Sequence, residues 1–176
     1  MNLILKTERL ILRPIKFEDY SDVHQLHSLA EVDEYNTLGI PENEEETILH
    51  VKKLIDSNQT EPPLAYTFVI ENDNQFAGLI SLNLGRAKYK NAEIWFKLHP
   101  IFWNKGFATE ALKEIISFGF NSLNLHRIEA GCAVDNIGSY KVLEKVGMTR
   151  EAHTRQLLPL KSGWADNYGY AILSTD

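Results

Sequence analysis

The chain has 176 residues, with 18 Lys and Arg against 24 Asp and Glu, for a formal charge of -6 near neutral pH. Apolar residues at 44% and charged residues at 24% are ordinary for a globular protein, and the length suits one folded domain spanning 1–176. The acidic balance argues against a general nucleic-acid binder, whose affinity comes from neutralising phosphates, and favours a small molecule or a cationic partner. One cysteine, Cys132, excludes an internal disulfide framework and any paired-cysteine zinc spacing, and suggests a reducing compartment. No apolar run approaches the about 18 residues of a membrane span, and Met1 to Lys6 is too short for a signal peptide's apolar region. The expectation is a cytoplasmic protein with no membrane contact.

No repeat, low-complexity tract or Gly/Ser linker interrupts the chain. Arg9 to Ile15 is a short run of strand formers that Pro14 places at an edge or an end. Phe17 to Leu29 and Glu44 to Ser57 have helical spacing, the second behind an acidic first turn that complements the helix dipole. Leu64 to Glu71, Phe76 to Leu84 and Ala92 to Leu98 read as an antiparallel meander, with Asn72-Asp73-Asn74 turning between the first two. Gly106 opens a helix in which Ala108, Ala111, Leu112, Ile115 and Ile116 share one face. A strand over His126 to Val134 follows, then a helix over Ile137 to Val146 that Gly147 ends, then strands over Arg150 to Leu158 and Tyr168 to Leu173. The order β-α-α-β-β-β-α-β-α-β-β predicts an α/β (α+β) domain, a mixed sheet with helices on both faces.

The stretch Leu98-His99-Pro100-Ile101-Phe102-Trp103-Asn104-Lys105-Gly106-Phe107-Ala108-Thr109 is a strand end, a loop and a helix start. It has the form of an anion site, because the first N–H groups of a helix lack partners and Gly106 and Ala108 are small enough for a pyrophosphate to approach the backbone. An ordinary tight loop has the same composition.

The whole stretch resembles the acetyl-CoA signature of the GNAT acetyltransferase superfamily. The usual pattern is Arg or Gln, two residues, Gly, one residue, then Gly or Ala, and Trp103, Gly106 and Ala108 hold those places. Trp at the first place is familiar in the RimJ/RimL branch, and Asn104 stands where Gly is common, a residue type that tolerates positive φ. Thr7-Glu8-Arg9-Leu10-Ile11-Leu12-Arg13-Pro14, Asn136-Ile137-Gly138-Ser139 with Glu144-Lys145-Val146-Gly147-Met148, and Gly163-Trp164-Ala165-Asp166 resemble the same branch. The resemblance implies a mostly antiparallel sheet of about seven strands, splayed at the acetyl-CoA site. It implies pantetheine contacts from the backbones of Phe96 and Leu98, and a pyrophosphate loop over Trp103, Asn104, Lys105, Gly106, Phe107, Ala108 and Thr109. Asn136 and Ser139 complete the implied cofactor contacts, no metal is implied, and monomer and homodimer are both compatible.

Acetyl transfer needs a base for the attacking amine, a donor to the developing oxyanion and a proton for the leaving thiolate. The resemblance puts a carboxylate base at Glu93, which otherwise reads as a solvent-facing charge at a strand end. The tyrosine that many members use as general acid falls at Leu143, so Ser139, the alternative in the RimJ/RimL branch, takes that role or simply caps its helix. Asp135 and Asn136 also suit N-cap positions, and Glu110 suits the dipole of its helix. Glu31 to Glu46 holds seven carboxylates and no Lys or Arg, lies by the acceptor entrance in the family, and reads either as an acidic wall that attracts an amine or as solvated helix starts. Tyr35, Trp164, Tyr168 and Tyr170 line an acceptor channel or pack ordinarily. The six histidines show no metal spacing. The implied activity is acetyl-CoA-dependent acetylation of a primary amine by direct transfer, on a protein N-terminal α-amine as in the RimJ/RimL branch. The alternatives are a small amine (a polyamine, an amino acid or an amino sugar) and a CoA-binding module without turnover.

Overall fold

The computed structural model describes residues 3–176. Eight strands form one sheet: β1 (Leu5–Lys6), β2 (Ile11–Pro14), β3 (Ala65–Asn72), β4 (Gln75–Leu84), β5 (Asn91–Leu98), β6 (Arg127–Ala133), β7 (Thr149–Leu160) and β8 (Gly163–Leu173). Their order is β1-β2-β3-β4-β5-β6-β8-β7, and among the described residues only the β5–β6 pair is parallel. Among the described residues five α-helices complete the fold: α1 (Tyr20–His27), α2 (Ala30–Asp33), α3 (Glu44–Gln59), α4 (Phe107–Asn121) and α5 (Ile137–Lys145).

The central strands β3 and β4 are buried on both faces, which is why Phe68-Val69-Ile70 and Leu79-Ile80 read as unbroken apolar runs rather than alternating ones. On one face Phe68, Ile80, Leu82 and Ile94 pack with Leu112 and Ile115 of α4 and Leu143 of α5. On the other, Val69 and Leu79 pack with Val23 and Leu26 of α1 and Val51 of α3, with Trp95 at the margin. Helices on both faces therefore each bury one stripe against one sheet.

The expected turn between β3 and β4 is a two-residue hairpin in which Asp73 and Asn74 both take positive φ, 49° and 60°, the geometry that suits the twist of paired strands. Gly147 ends α5 at φ 94°, as its position predicted. Three features differ from the sequence expectation. There are eight strands rather than about seven, because β1 is only two residues long and carries no readable period. The four-residue helix α2 is too short for a helical pattern. Strand β8 starts at Gly163, five residues before Tyr168, because pairing with the exposed edge strand β7 holds Trp164 to Asn167 in the ladder, a stretch without a strand's apolar period.

Candidate active site

Strands β5 and β6 run parallel and pair at Asn91↔Arg127, Ala92↔Ile128 and Glu93↔Glu129, where the ladder ends. Beyond that rung β5 stays paired with β4 as far as Leu98↔Gly78, while β6 stays paired with β8 as far as Ala133↔Asn167. The sheet therefore opens into a wedge between two continuing strands. The backbone alternation tells which groups line it. The Lys90 carbonyl accepts from His126 and Arg127 on the β6 side, and the His99 N–H donates to Ala77 on the β4 side. Residues of even number, Ile94, Phe96 and Leu98, thus turn their N–H and C=O groups toward the wedge. Such groups need partners, and an extended polar chain laid in the wedge supplies them.

Helix α4 begins where β5 ends, and α5 where β6 ends, so both helix N-termini stand at the mouth of the wedge. They are built differently. Asn136 caps α5, its Oδ1 accepting from the Ser139 N–H at 3.0 Å. Gly106 precedes α4 at φ 81° with no side chain to offer, and the first intrahelical bond is the Glu110 N–H to the Gly106 carbonyl at 3.0 Å. The N–H groups of Phe107, Ala108 and Thr109 are left without a side-chain cap, at the positive end of the helix dipole. The loop before them turns through Asn104 at φ 59°, a conformation that Asn accepts more readily than most residues. The Trp103 indole N–H reaches back to the Leu98 carbonyl at 2.8 Å, leaving the Leu98 N–H for the wedge. The Phe107 side chain is buried against Phe102, so only its backbone faces outward. This surround fits a pyrophosphate followed by an amide-bearing arm: fixed N–H groups, a glycine with no side chain over its backbone, and a strand edge without a partner.

Glu93 sits on the last shared rung, exposed, between Asn83 of β4 and Glu129 of β6. Its carboxylate makes no hydrogen bond among the described residues, whereas that of Glu129 accepts from Arg127 at 2.8 Å. Its side chain lies with Trp95 and Lys97 on the face that α1 and α3 cover, opposite the face of α4 and α5. Ser139 is half-buried in the first turn of α5 on that opposite face, where Leu143 is fully enclosed in the core. The structure thus brings Glu93 and the β5 backbone to one side of the wedge, with the α4 and α5 starts at its mouth.

The face of Glu93 also holds Lys97, which the sequence reading passed over, together with Asp33 of the acidic segment and three of the six histidines. Lys97 is half-buried, and the desolvation of its ammonium pulls it down from 10.5 to about 8 against the opposing attraction of Asp33. His27 is brought down to about 3, by burial first and then by Lys97, His50 and His24. His27 and His50 stack with centroids 5.5 Å apart, and His24 bonds Thr47 at 2.8 Å. Asp33 Oδ1 and His27 Nε2 are buried without a hydrogen-bond partner among the described residues. The available signal was the alternation Glu93, Trp95, Lys97 on one side of a buried strand. Tyr35 lies beside this face, its phenol held above the usual range by burial, then Glu34 and Asp135. The other aromatic candidates do not join it. Tyr170 is enclosed and bonds Glu144, Tyr168 packs on Tyr140, and Trp164 lies out on the β7–β8 hairpin.

Cys132 is buried in β6 with its thiol pushed up to about 11 by burial and then by Glu144, far from a thiolate at neutral pH. Among the described residues no three His, Cys, Asp or Glu side chains gather as metal ligands, and no helix is long and apolar enough to cross a membrane.

Residues 9–149 match the family described as Acetyltransferase (GNAT) domain. An uncharacterized N-acetyltransferase of Bacillus subtilis, YnaD, is 32% identical over 174 residues, which is 98% of this chain and 98% of that protein. The spermidine N(1)-acetyltransferase of Escherichia coli is 31% identical over 143 residues, 80% of this chain and 73% of that protein. Among solved structures, RimL, a ribosomal L7/L12 alpha-N-protein acetyltransferase, superposes with a TM-score of 0.88 at 25% identity, covering 98% of this chain and 95% of that one.

Proposed function

The chain belongs to the GNAT acetyltransferase family and is an acetyl-CoA-dependent N-acetyltransferase, and from that premise we propose that its acceptor is the α-amine of a protein N-terminus. The thioester supplies the acetyl group and a thiol leaving group; the chain supplies the rest. The N–H groups of Phe107, Ala108 and Thr109 hold the pyrophosphate, with the turn through Trp103, Asn104, Lys105 and Gly106 shaping their approach. The wedge-facing backbones of Phe96 and Leu98 bond the pantetheine amides, and Asn136 and Ser139 meet the cofactor at the start of α5. Glu93, at the apex of the wedge and free of other partners, takes the proton of the incoming ammonium directly or through water. Ser139 stands on the α5 side to hydrogen-bond the departing sulfur.

The observation that carries the reading is the placement of Glu93. It stands on the last β5–β6 rung, on the face that α1 to α3 cover, so an amine entering past the acidic 31–46 segment meets it from the side opposite α4. Asp33, Glu34 and Asp135 near that entrance favour a cation before its deprotonation. Full-length similarity to RimL and the branch motifs support a protein N-terminus. The relationship to a spermidine acetyltransferase supports a second reading, a small polycationic amine. Thiol release from acetyl-CoA against ribosomal-protein N-terminal peptides and against small primary amines, with mass spectrometry of the products, separates them. Adducts confined to peptide α-amines are expected; adducts only on small amines overturn the peptide reading.

A further inference from the structure

The segment Thr7-Glu8-Arg9-Leu10 lies almost a hundred residues before the α4 loop in sequence, yet it is bonded to it. Glu110 in the first turn of α4 accepts at Oε1 from the Thr7 hydroxyl at 2.6 Å and the Arg9 N–H at 2.8 Å. Its Oε2 accepts from Arg9 Nε at 2.7 Å, and a second guanidinium nitrogen lies 2.6 Å away. The remaining terminal nitrogen, Nη1, donates to the Lys105 carbonyl at 3.0 Å, and the guanidinium lies 4.5 Å above the centre of the Phe107 ring. A Cβ on Gly106 stands 3.4 Å from the same guanidinium. Thr7 is itself held, its hydroxyl accepting from the Leu10 N–H at 2.9 Å. Burial raises Glu110, but the bonds from Thr7 and Arg9 and the charge of Arg9 bring it net below its usual value, so the pair is ionised at neutral pH.

We infer that Arg9 is a positioning residue for the acetyl-CoA pyrophosphate: anchored on Glu110, its fork holds the Lys105 carbonyl and the Phe107 ring, and thereby sets the direction of the α4 N–H groups. The fork geometry is the point. One planar group reaches a helix side chain, a loop carbonyl and a ring face at once, which a lysine ammonium does not do. Gly106 at positive φ lacks any local restraint from a side chain, so a restraint from outside the loop is what keeps its N–H groups aligned before the anion arrives. The same contact explains why a charged motif precedes the short strand β2: Leu10 and Leu12 enter the core while Arg9 reaches across to α4.

The inference rests on the pyrophosphate reading of the loop, and the test separates the two. Titration calorimetry with CoA, 3′-dephospho-CoA and pantetheine compares the wild-type chain with Arg9→Gln, Arg9→Lys, Glu110→Gln and the Arg9→Gln/Glu110→Gln double variant. Arg9→Gln is expected to weaken CoA and 3′-dephospho-CoA alike, by about tenfold or more, with pantetheine unchanged. Arg9→Lys is expected not to rescue, and the double variant to bind no worse than the weaker single one, because the two side chains act as a unit. Unchanged CoA binding in Arg9→Gln, equal loss of all three ligands, or full rescue by lysine overturns the inference. A wild-type chain that binds CoA no better than pantetheine overturns the pyrophosphate reading itself, and the inference with it.

Discussion

The Trp103 indole N–H donates to the Leu98 carbonyl at 2.8 Å, closing the loop before α4 onto the end of the strand from which it leaves. The bond gives a partner to one backbone group that the wedge otherwise leaves open, and it fixes the loop between residues 98 and 103. Trp103→Phe keeps the ring and removes the donor. It is expected to cost about 1 kcal/mol of stability in urea unfolding, since a carbonyl loses its partner. It is also expected to weaken acetyl-CoA binding by roughly threefold to tenfold through a looser loop. Unaltered affinity with lowered stability restricts Trp103 to a structural role.

Gly106→Ala tests the helix start. At φ 81° an alanine pays a left-handed penalty of about 1–2 kcal/mol, and its Cβ meets the Arg9 guanidinium at 3.4 Å. The expected result is a lower midpoint of thermal unfolding together with a raised KM for acetyl-CoA. Gly147→Ala, also at positive φ (94°) but at the end of α5, is the control. It loses comparable stability and leaves that KM unchanged; equal effects of the two on KM remove the special role of Gly106.

Much of this site was legible because it is local. Trp103 to Thr109 is contiguous, and a glycine before a helix with no capping side chain announces uncapped N–H groups. Asn136 was one of two candidate caps and is the one that bonds, and the positive φ at Asn104 is the conformation that a residue standing in for a common Gly was expected to tolerate. What was not legible is what depends on pairing between distant segments. Arg9 and Glu110 each have an ordinary local reading, as a strand-edge charge and a dipole-complementing carboxylate, and only the fold brings them together. The desolvated Lys97 escaped for the same reason: strand alternation puts it on the face of Glu93, but its cover comes from α1 to α3, far away in sequence.

Lys97 makes stability depend on pH in a defined window. Its folded pKa of about 8 lies below the ordinary lysine value of 10.5, so between these values the unfolded chain binds more protons than the folded one. The folded state therefore bears the full cost of charging a desolvated amine below pH 8, and regains stability as pH rises toward 10.5. Lys97→Met removes the group while retaining much of its apolar length. It is expected to be more stable than wild type at pH 7, by about 1–3 kcal/mol, with the difference shrinking toward pH 9.5. Urea titrations of both proteins at the two pH values measure this. A constant difference shows that Lys97 is protonated alike in both states.

Glu93 and Glu129 issue from the same rung, the last one that β5 and β6 share, yet only Glu129 is engaged, by Arg127 at 2.8 Å. Glu93→Gln preserves size and hydrogen-bonding capacity while abolishing the base. The expected outcome is a fall in kcat of about a hundredfold or more, within the range of general-base contributions, with acetyl-CoA affinity unchanged because the proposed cofactor contacts lie elsewhere on β5 and on α4 and α5. Glu129→Gln is the matched control, since its carboxylate is already committed to Arg127; it affects stability more than turnover. The pH profile decides what kind of loss is seen. If Glu93 receives the proton, kcat/KM of Glu93→Gln regains part of its value at alkaline pH, where the acceptor is already neutral. A variant whose turnover matches wild type from acid to alkaline pH places the proton's destination on another group.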